Sequence, residues 1–184
     1  MKIKTIYRVI VSYIRNGVLK IKNGKNFSYT GIYAWPITTK IIVDKNGKLT
    51  IGKRMGVRSN LVINVRENAE LFIGNRVLFN DRCSITCRNN ISISDDVIFG
   101  PGCMIFDHDH DYHEIGLKRK SEFITDNIKI GKGVWFGANC IILKGTVIGD
   151  NCVFGAGTIV HGHYDENLLV VQERKEKIKK IVIR

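Results

Sequence analysis

The sequence predicts an all-β solenoid, a left-handed parallel β-helix wound from hexapeptide repeats. Three observations lead there. Bulky apolar residues recur every six positions, small or β-branched residues sit two places before them, and glycine is plentiful while proline occurs only at Pro36 and Pro101. A period of six is neither the 3.6 of a helix nor the plain alternation of a strand. It fits one short strand and one tight turn per repeat, three repeats closing a triangular coil that stacks on the next by parallel pairing.

The run is clearest after Ile128, reading IKIGKG VWFGAN CIILKG TVIGDN CVFGAG TIV. Its bulky positions are Ile130, Phe136, Ile142, Ile148, Phe154 and Val160; its small positions are Ile128, Val134, Cys140, Thr146, Cys152 and Thr158. Glycine follows the bulky residue at Gly131, Gly137, Gly149 and Gly155, where it is expected to give the turn a backbone conformation closed to other residues. The same frame carries Ile93, Phe99 and Ile105, and an earlier run carries Ile73, Phe79 and Ile85. These two are offset by two residues at Asn89-Asn90, as a bulged corner would produce, and Ile51, Val57 and Ile63 keep the step of six. A β-sandwich would not hold one register over so many repeats. Cys83, Cys103, Cys140 and Cys152 all fall in the small slot, which makes them inward filler rather than a disulfide set or a metal site. Five cysteines without paired spacing agree with a reducing compartment.

Around this solenoid, placed at residues 31–165, the sequence divides into an N-terminal helix and lead-in at 1–30 and a basic tail at 166–184. Ile3, Ile6, Tyr7, Ile10, Ile14, Val18 and Ile21 follow helical spacing, with Lys4, Arg8 and Arg15 on other faces. Packing of that apolar face on the coil is the first expectation; peripheral contact with the inner, anionic surface of a membrane is the second. Arg8 and Arg15 interrupt any signal-peptide core, so a cytoplasmic protein is expected. The tail from Lys175 to Arg184 reads as helix or strand. The net charge of +12, from 29 Lys+Arg against 17 Asp+Glu, calls for an acidic ligand or surface. Nucleic acid is not expected, because the basic residues are spread and no nucleic-acid motif is present.

The repeat stops after Ile105 and resumes at Ile128, leaving a loop insertion at 106–127. It opens Phe106-Asp107-His108-Asp109-His110-Asp111-Tyr112-His113-Glu114 and holds three of the five histidines. A loop that leaves a regular solenoid at this point points to function. His108 and His110, two apart on an extended strand, face the same way and could share a zinc ion if His113 or another chain supplied a third ligand. The other reading is a histidine general base, since imidazole titrates near neutral pH.

These residues carry a resemblance. The hexapeptide run, the His-Asp-Tyr loop, and Val134-Trp135-Phe136-Gly137-Ala138-Asn139 followed by Gly155-Ala156-Gly157-Thr158-Ile159-Val160 resemble the hexapeptide-repeat acetyltransferases. Within them the sequence is most similar to the maltose/galactoside O-acetyltransferase-like branch, which includes capsule and O-antigen polysaccharide O-acetyltransferases. The resemblance spans about residues 50–165. It implies a homotrimer with sites between subunits, acetyl-CoA as acyl donor, a carbohydrate acceptor and a loop histidine as base. That base is His110, with His108 the other candidate. It further implies Asn80, Asp107 and Tyr112 at the acceptor, and Trp135, Gly137, Ala138, Ala156 and Thr158 along the pantetheine channel. Asp107, Asp109 or a backbone carbonyl could orient the base. Lys118, Arg119 and Lys120 are either a solvated charge run or contacts for phosphates.

The C-terminal end departs from the family. The Gly-x-Pro-Ala segment that closes over the cofactor is missing, and His161-Gly162 stand where a Thr-Lys-like pair is usual. The expected activity is acetyl transfer to a sugar hydroxyl of a surface polysaccharide or its precursor. The alternatives are N-acetylation of an amino-sugar nucleotide, a zinc-dependent carbonic-anhydrase-like β-helix, whose His-x-x-x-x-His spacing is absent, and a non-catalytic solenoid.

Overall fold

The computed structural model describes residues 3–173, apart from the side chains of Lys4 and Arg119. The hexapeptide frame becomes a left-handed parallel β-helix of about six turns. Each side of the triangle is a parallel sheet. Among the described residues, sheet I has seven strands, from Phe27–Tyr29 to His163–Tyr164. Sheet II has six, from Gly56–Val57 to Leu169–Val170, and sheet III has six, from Lys40–Val43 to Ile159–Val160. The solenoid therefore starts earlier and ends later than the sequence frame suggested, because its end coils pair through backbone without a full hexapeptide.

The chain passes from sheet III to I to II and back, and the coils shorten as it goes. Paired residues are separated by 22 positions at Leu49↔Leu71, 20 at Leu71↔Ile91, 18 at Lys129↔Val147 and 16 at Val147↔His163. The slip at Asn89-Asn90 is the corner from sheet III to sheet I, which is widest in the first coils. The insertion leaves the solenoid at this same corner, after the strand Met104–Phe106.

All twelve inward positions of the late run are buried, and Phe79, Phe99, Phe136 and Phe154 form one stacked column. Ring centroids lie 4.8, 5.0 and 5.1 Å apart along it. Such pairs contribute roughly 0.5–1.5 kcal/mol each beyond their burial. All five cysteines are free and buried. Cys83, Cys103 and Cys140 bond the carbonyls of Gly100, Gly137 and Gly155 at 3.2, 3.1 and 3.2 Å, so the thiols serve the corner as weak donors.

The reason for the repeat glycines differs from the expectation. Gly131, Gly137 and Gly149 do not have positive φ; a Cβ there would lie 2.6 Å from the backbone of the next coil. Close stacking, not a left-handed turn, excludes a side chain. The left-handed position falls two residues later, and there Arg54, Arg76, Asp96, Asn139 and Asn151 serve alongside Gly133 and Gly157. Asparagine and aspartate tolerate this region through local hydrogen bonding; the arginines there carry the ordinary strain of a positive φ.

The N-terminal helix α1 spans Ile3–Asn23 and lies across the open end of the first coil. It touches three places on that coil. The Ser12 hydroxyl accepts from the Trp35 amide at 2.9 Å, Arg15 donates to the Thr39 carbonyl at 3.0 Å, and Lys20 donates to the Phe27 carbonyl at 2.8 Å. Ser12, Asn16 and Leu19 are buried, whereas Ile3, Ile10, Ile14, Val18 and Ile21 are exposed. The expected packing of the apolar face on the coil is thus reversed. The first coil ends in unpaired carbonyls that need donors, so the polar side of α1 goes inward.

Candidate active site at the loop corner

The insertion folds back as a hairpin. The strand His108–His110 pairs antiparallel with Phe123–Thr125, His110 opposite Phe123, and a short helical turn at Lys118–Ser121 closes the far end. Its root is Asp107, which is fully buried and continues the inward ladder of sheet III after Ile105. The carboxylate accepts the amides of Arg88 at 2.8 Å and Asn89 at 2.8 Å, tying the loop to the wide corner of the preceding coil. Its Oδ1 also lies 3.1 Å from His108 Nδ1. A carboxylate can only accept, so Nδ1 of His108 is the donor in this contact.

Aromatic contacts complete the arm. Phe106 and Phe123 meet the His108 ring edge-on at 6.1 and 5.6 Å, and His110 packs on Phe123 at 4.5 Å. The Arg88 guanidinium covers the Phe123 ring at 3.4 Å. Burial holds the Arg88 guanidinium below its usual range, with Arg66 nearby acting in the same direction. Lys144 reaches Asp109 at 3.6 Å from the following coil. His108 is largely covered, with 13% of its side chain exposed, whereas His110 is open to solvent. Both project from one side of the same strand.

The remaining site residues lie elsewhere. Asn80, Gly137, Ala138, Ala156 and Thr158 line the corner from sheet II to sheet III, and Trp135 stands half-exposed on the outer face of sheet II. The histidine arm leaves from the opposite edge of sheet III. Asn80 is turned to its own corner, its side-chain amide donating to the Phe99 carbonyl at 2.9 Å. Tyr112 is exposed at the hairpin tip, beside His113.

Burial limits what two of these side chains can touch. Thr158 occupies the inward slot of its repeat and donates its hydroxyl to the Gly155 carbonyl at 2.6 Å, so its side chain lines no channel. Asp107 has no exposed surface to offer an acceptor; its carboxylate anchors the loop. Lys118 and Lys120 are exposed on the short helix, while the Arg119 side chain and the tail from Arg174 to Arg184 lie outside the described residues. Among the described residues, no three His, Cys, Asp or Glu side chains are grouped to hold a metal.

The bacterial transferase hexapeptide family (six repeats) matches residues 127–162. The chain is 31% identical to a maltose O-acetyltransferase from Clostridium difficile 630, over 72% of this chain and 69% of that one, with a TM-score of 0.57. The chain belongs to the hexapeptide-repeat acetyltransferases. Two more distant likenesses show the fold. AntD, an N-acyltransferase from Bacillus cereus solved with dTDP and coenzyme A, is 17% identical over 89% of each chain, with a TM-score of 0.66. A galactoside acetyltransferase solved with coenzyme A is 21% identical over 92% of this chain and 76% of that one, with a TM-score of 0.53. No curated protein matches by sequence.

For this acetyltransferase, sequence reasoning missed Phe123, which packs on both imidazoles, and Arg88, which covers the Phe123 ring. An antiparallel pair across an insertion has no repeat to reveal it. The aromatic residue near the return of the loop is the one signal that was available.

Proposed function

We propose that this acetyltransferase transfers an acetyl group from acetyl-CoA to a sugar hydroxyl of a surface polysaccharide or its precursor, working in the cytoplasm as a homotrimer. One observation carries the reading: in a member of this family, the break in the solenoid holds a braced strand that presents two imidazoles on one side. His110 is the general base. It is the exposed member of the pair, and Phe123 fixes its ring. His108, held by Asp107 and two aromatic edges, stiffens the arm and is the other candidate for the base. The 31% identity to a maltose O-acetyltransferase supports a hydroxyl acceptor over an amine.

The chemistry balances with these groups alone. His110 takes the proton from the acceptor hydroxyl as its oxygen attacks the thioester carbonyl carbon. The tetrahedral oxyanion meets backbone amides or the Asn80 side chain of the neighbouring subunit. The carbon–sulfur bond then breaks, and the imidazolium returns its proton to the departing thiolate. Holding hydroxyl and thioester side by side removes the bimolecular entropy cost. Trp135, Gly137, Ala138 and Ala156 offer an exposed ring and a backbone of minimal side chains along which a pantetheine arm can lie.

The test is thiol release from acetyl-CoA across a panel of neutral sugars and amino sugars, for the wild type, His110→Ala and His108→Ala. His110→Ala should lower turnover roughly 10²–10⁴-fold, the usual contribution of a positioned base, and His108→Ala should lower it less. The reverse order would move the base to His108. Full turnover in both variants would sink the general-base reading, and transfer only to amino sugars would replace O- with N-acetylation.

A further inference from the structure

The side of α1 that faces away from the coil is an apolar stripe that no other described element covers. Ile10, Ile14 and Val18 are 52%, 60% and 59% exposed, and Ile3 and Ile21 extend the stripe at 86% and 87%. A helix at a protein surface ordinarily buries its apolar stripe, and a continuous exposed one marks an interaction site. The charge around it is equally one-sided. Residues 1–43 contain eight Lys or Arg and no Asp or Glu; the first acidic side chain in the sequence is Asp44. At 100° per residue, Lys22 borders the stripe on one side and Lys20 on the other, with Arg8 one step further toward the coil.

We propose that α1 docks the protein on an anionic lipid bilayer, lying in the plane of the surface with its apolar stripe in the headgroup–acyl boundary. An exposed apolar face flanked by Lys and Arg is what an interfacial helix needs, and each cation held near an anionic surface strengthens partitioning roughly fivefold. The structure supplies the feature that sequence periodicity could not: the polar side of α1 is occupied by the coil, leaving only the apolar side free. No helix among the described residues is long and apolar enough to cross a membrane, so the contact is peripheral. The competing occupant is a second copy of the chain. Stacking two such helices face to face would set the five Lys and Arg of one α1 against the five of the other, with no acidic side chain on either helix, which disfavours it. Docking stands independently of the reaction catalysed.

The experiment is co-sedimentation of the full chain with sucrose-loaded vesicles of phosphatidylcholine alone or with about a third phosphatidylglycerol, at low and high salt. Binding is expected to the anionic vesicles only and to weaken with salt. The Ile10→Glu/Ile14→Glu variant should lose at least tenfold in partition while keeping the wild-type melting temperature. An Arg8→Glu/Lys22→Glu variant, which leaves the stripe intact, should lose at least fivefold. Wild-type protein left in solution with anionic vesicles at low salt overturns the proposal. So does a stripe variant that binds undiminished, or one that changes only the mass of the assembly by light scattering, which would assign the stripe to a second copy.

Discussion

At the scale of single residues, Asp107 does more than its exposure would suggest. One buried carboxylate holds two backbone amides of the preceding coil and faces an imidazole, so it joins the solenoid to the hairpin. Removing it leaves two part-buried backbone donors without an acceptor, which costs roughly 2–4 kcal/mol. Asp107→Ala should therefore lower the melting temperature by about 5–15 °C, using roughly 2–4 °C per kcal/mol for a chain of this size. Asp107→Asn should recover only part of this, because its NH₂ would oppose an amide donor. An unchanged melting temperature in Asp107→Ala would show that the carboxylate is not the anchor. The sequence located this residue but not its role. Its step of two from Ile105 continues the inward ladder, yet an aspartate at an inward position reads as polar loop until the donors of the neighbouring coil are seen.

At the scale of the element, the corners between sheets I and II are stitched from coil to coil. The Lys53 amide donates to Asn75 Oδ1 at 2.8 Å, the Asn75 amide to Asp95 Oδ1 at 2.7 Å, and the Lys132 amide to Asp150 Oδ1 at 2.7 Å. The Asp95 carboxyl lies below the usual carboxylate range, chiefly because Asn75 donates to it from backbone and side chain, with Arg76 adding its charge. A carboxylate depressed in the folded state stabilises above its ordinary titration near pH 4, and that stability is lost as pH falls through the lower folded value. Asp95→Asn should thus melt below wild type at pH 7, with the gap closing toward pH 3; a gap that stays constant across this range would refute the assignment. The side chain is a third exposed, so the effect should be under about 1 kcal/mol. Period and register of these elements were legible because a six-residue step with two inward slots admits little else. The reason for each corner glycine was not, since a letter shows that a Cβ is absent but not whether the turn or the next coil excludes it. The orientation of α1 stayed hidden for a related reason. Helical spacing defines a stripe, while the choice of which side packs depends on the unpaired carbonyls of the first coil.

At the scale of the whole molecule, the arrangement of candidate residues bears on assembly. The histidine arm leaves the edge of sheet III next to sheet I, while Asn80 and the small residues Gly137, Ala138 and Ala156 line the edge next to sheet II. Within one chain these groups face different corners, so a site that uses both is completed by a neighbouring copy, as a cyclic trimer would arrange. The consequence can be tested without knowing the acceptor. His110→Ala and Asn80→Ala chains, each defective alone, should regain activity when unfolded together and refolded as mixed assemblies. In a randomly mixed ring, about a quarter of the interfaces pair an intact His110 from one chain with an intact Asn80 from the next. Acetyl-CoA turnover should therefore return to roughly a quarter of wild type. If each site lay within a single chain, no mixed assembly would contain an intact one, and the refolded mixture would stay at the level of the separate variants.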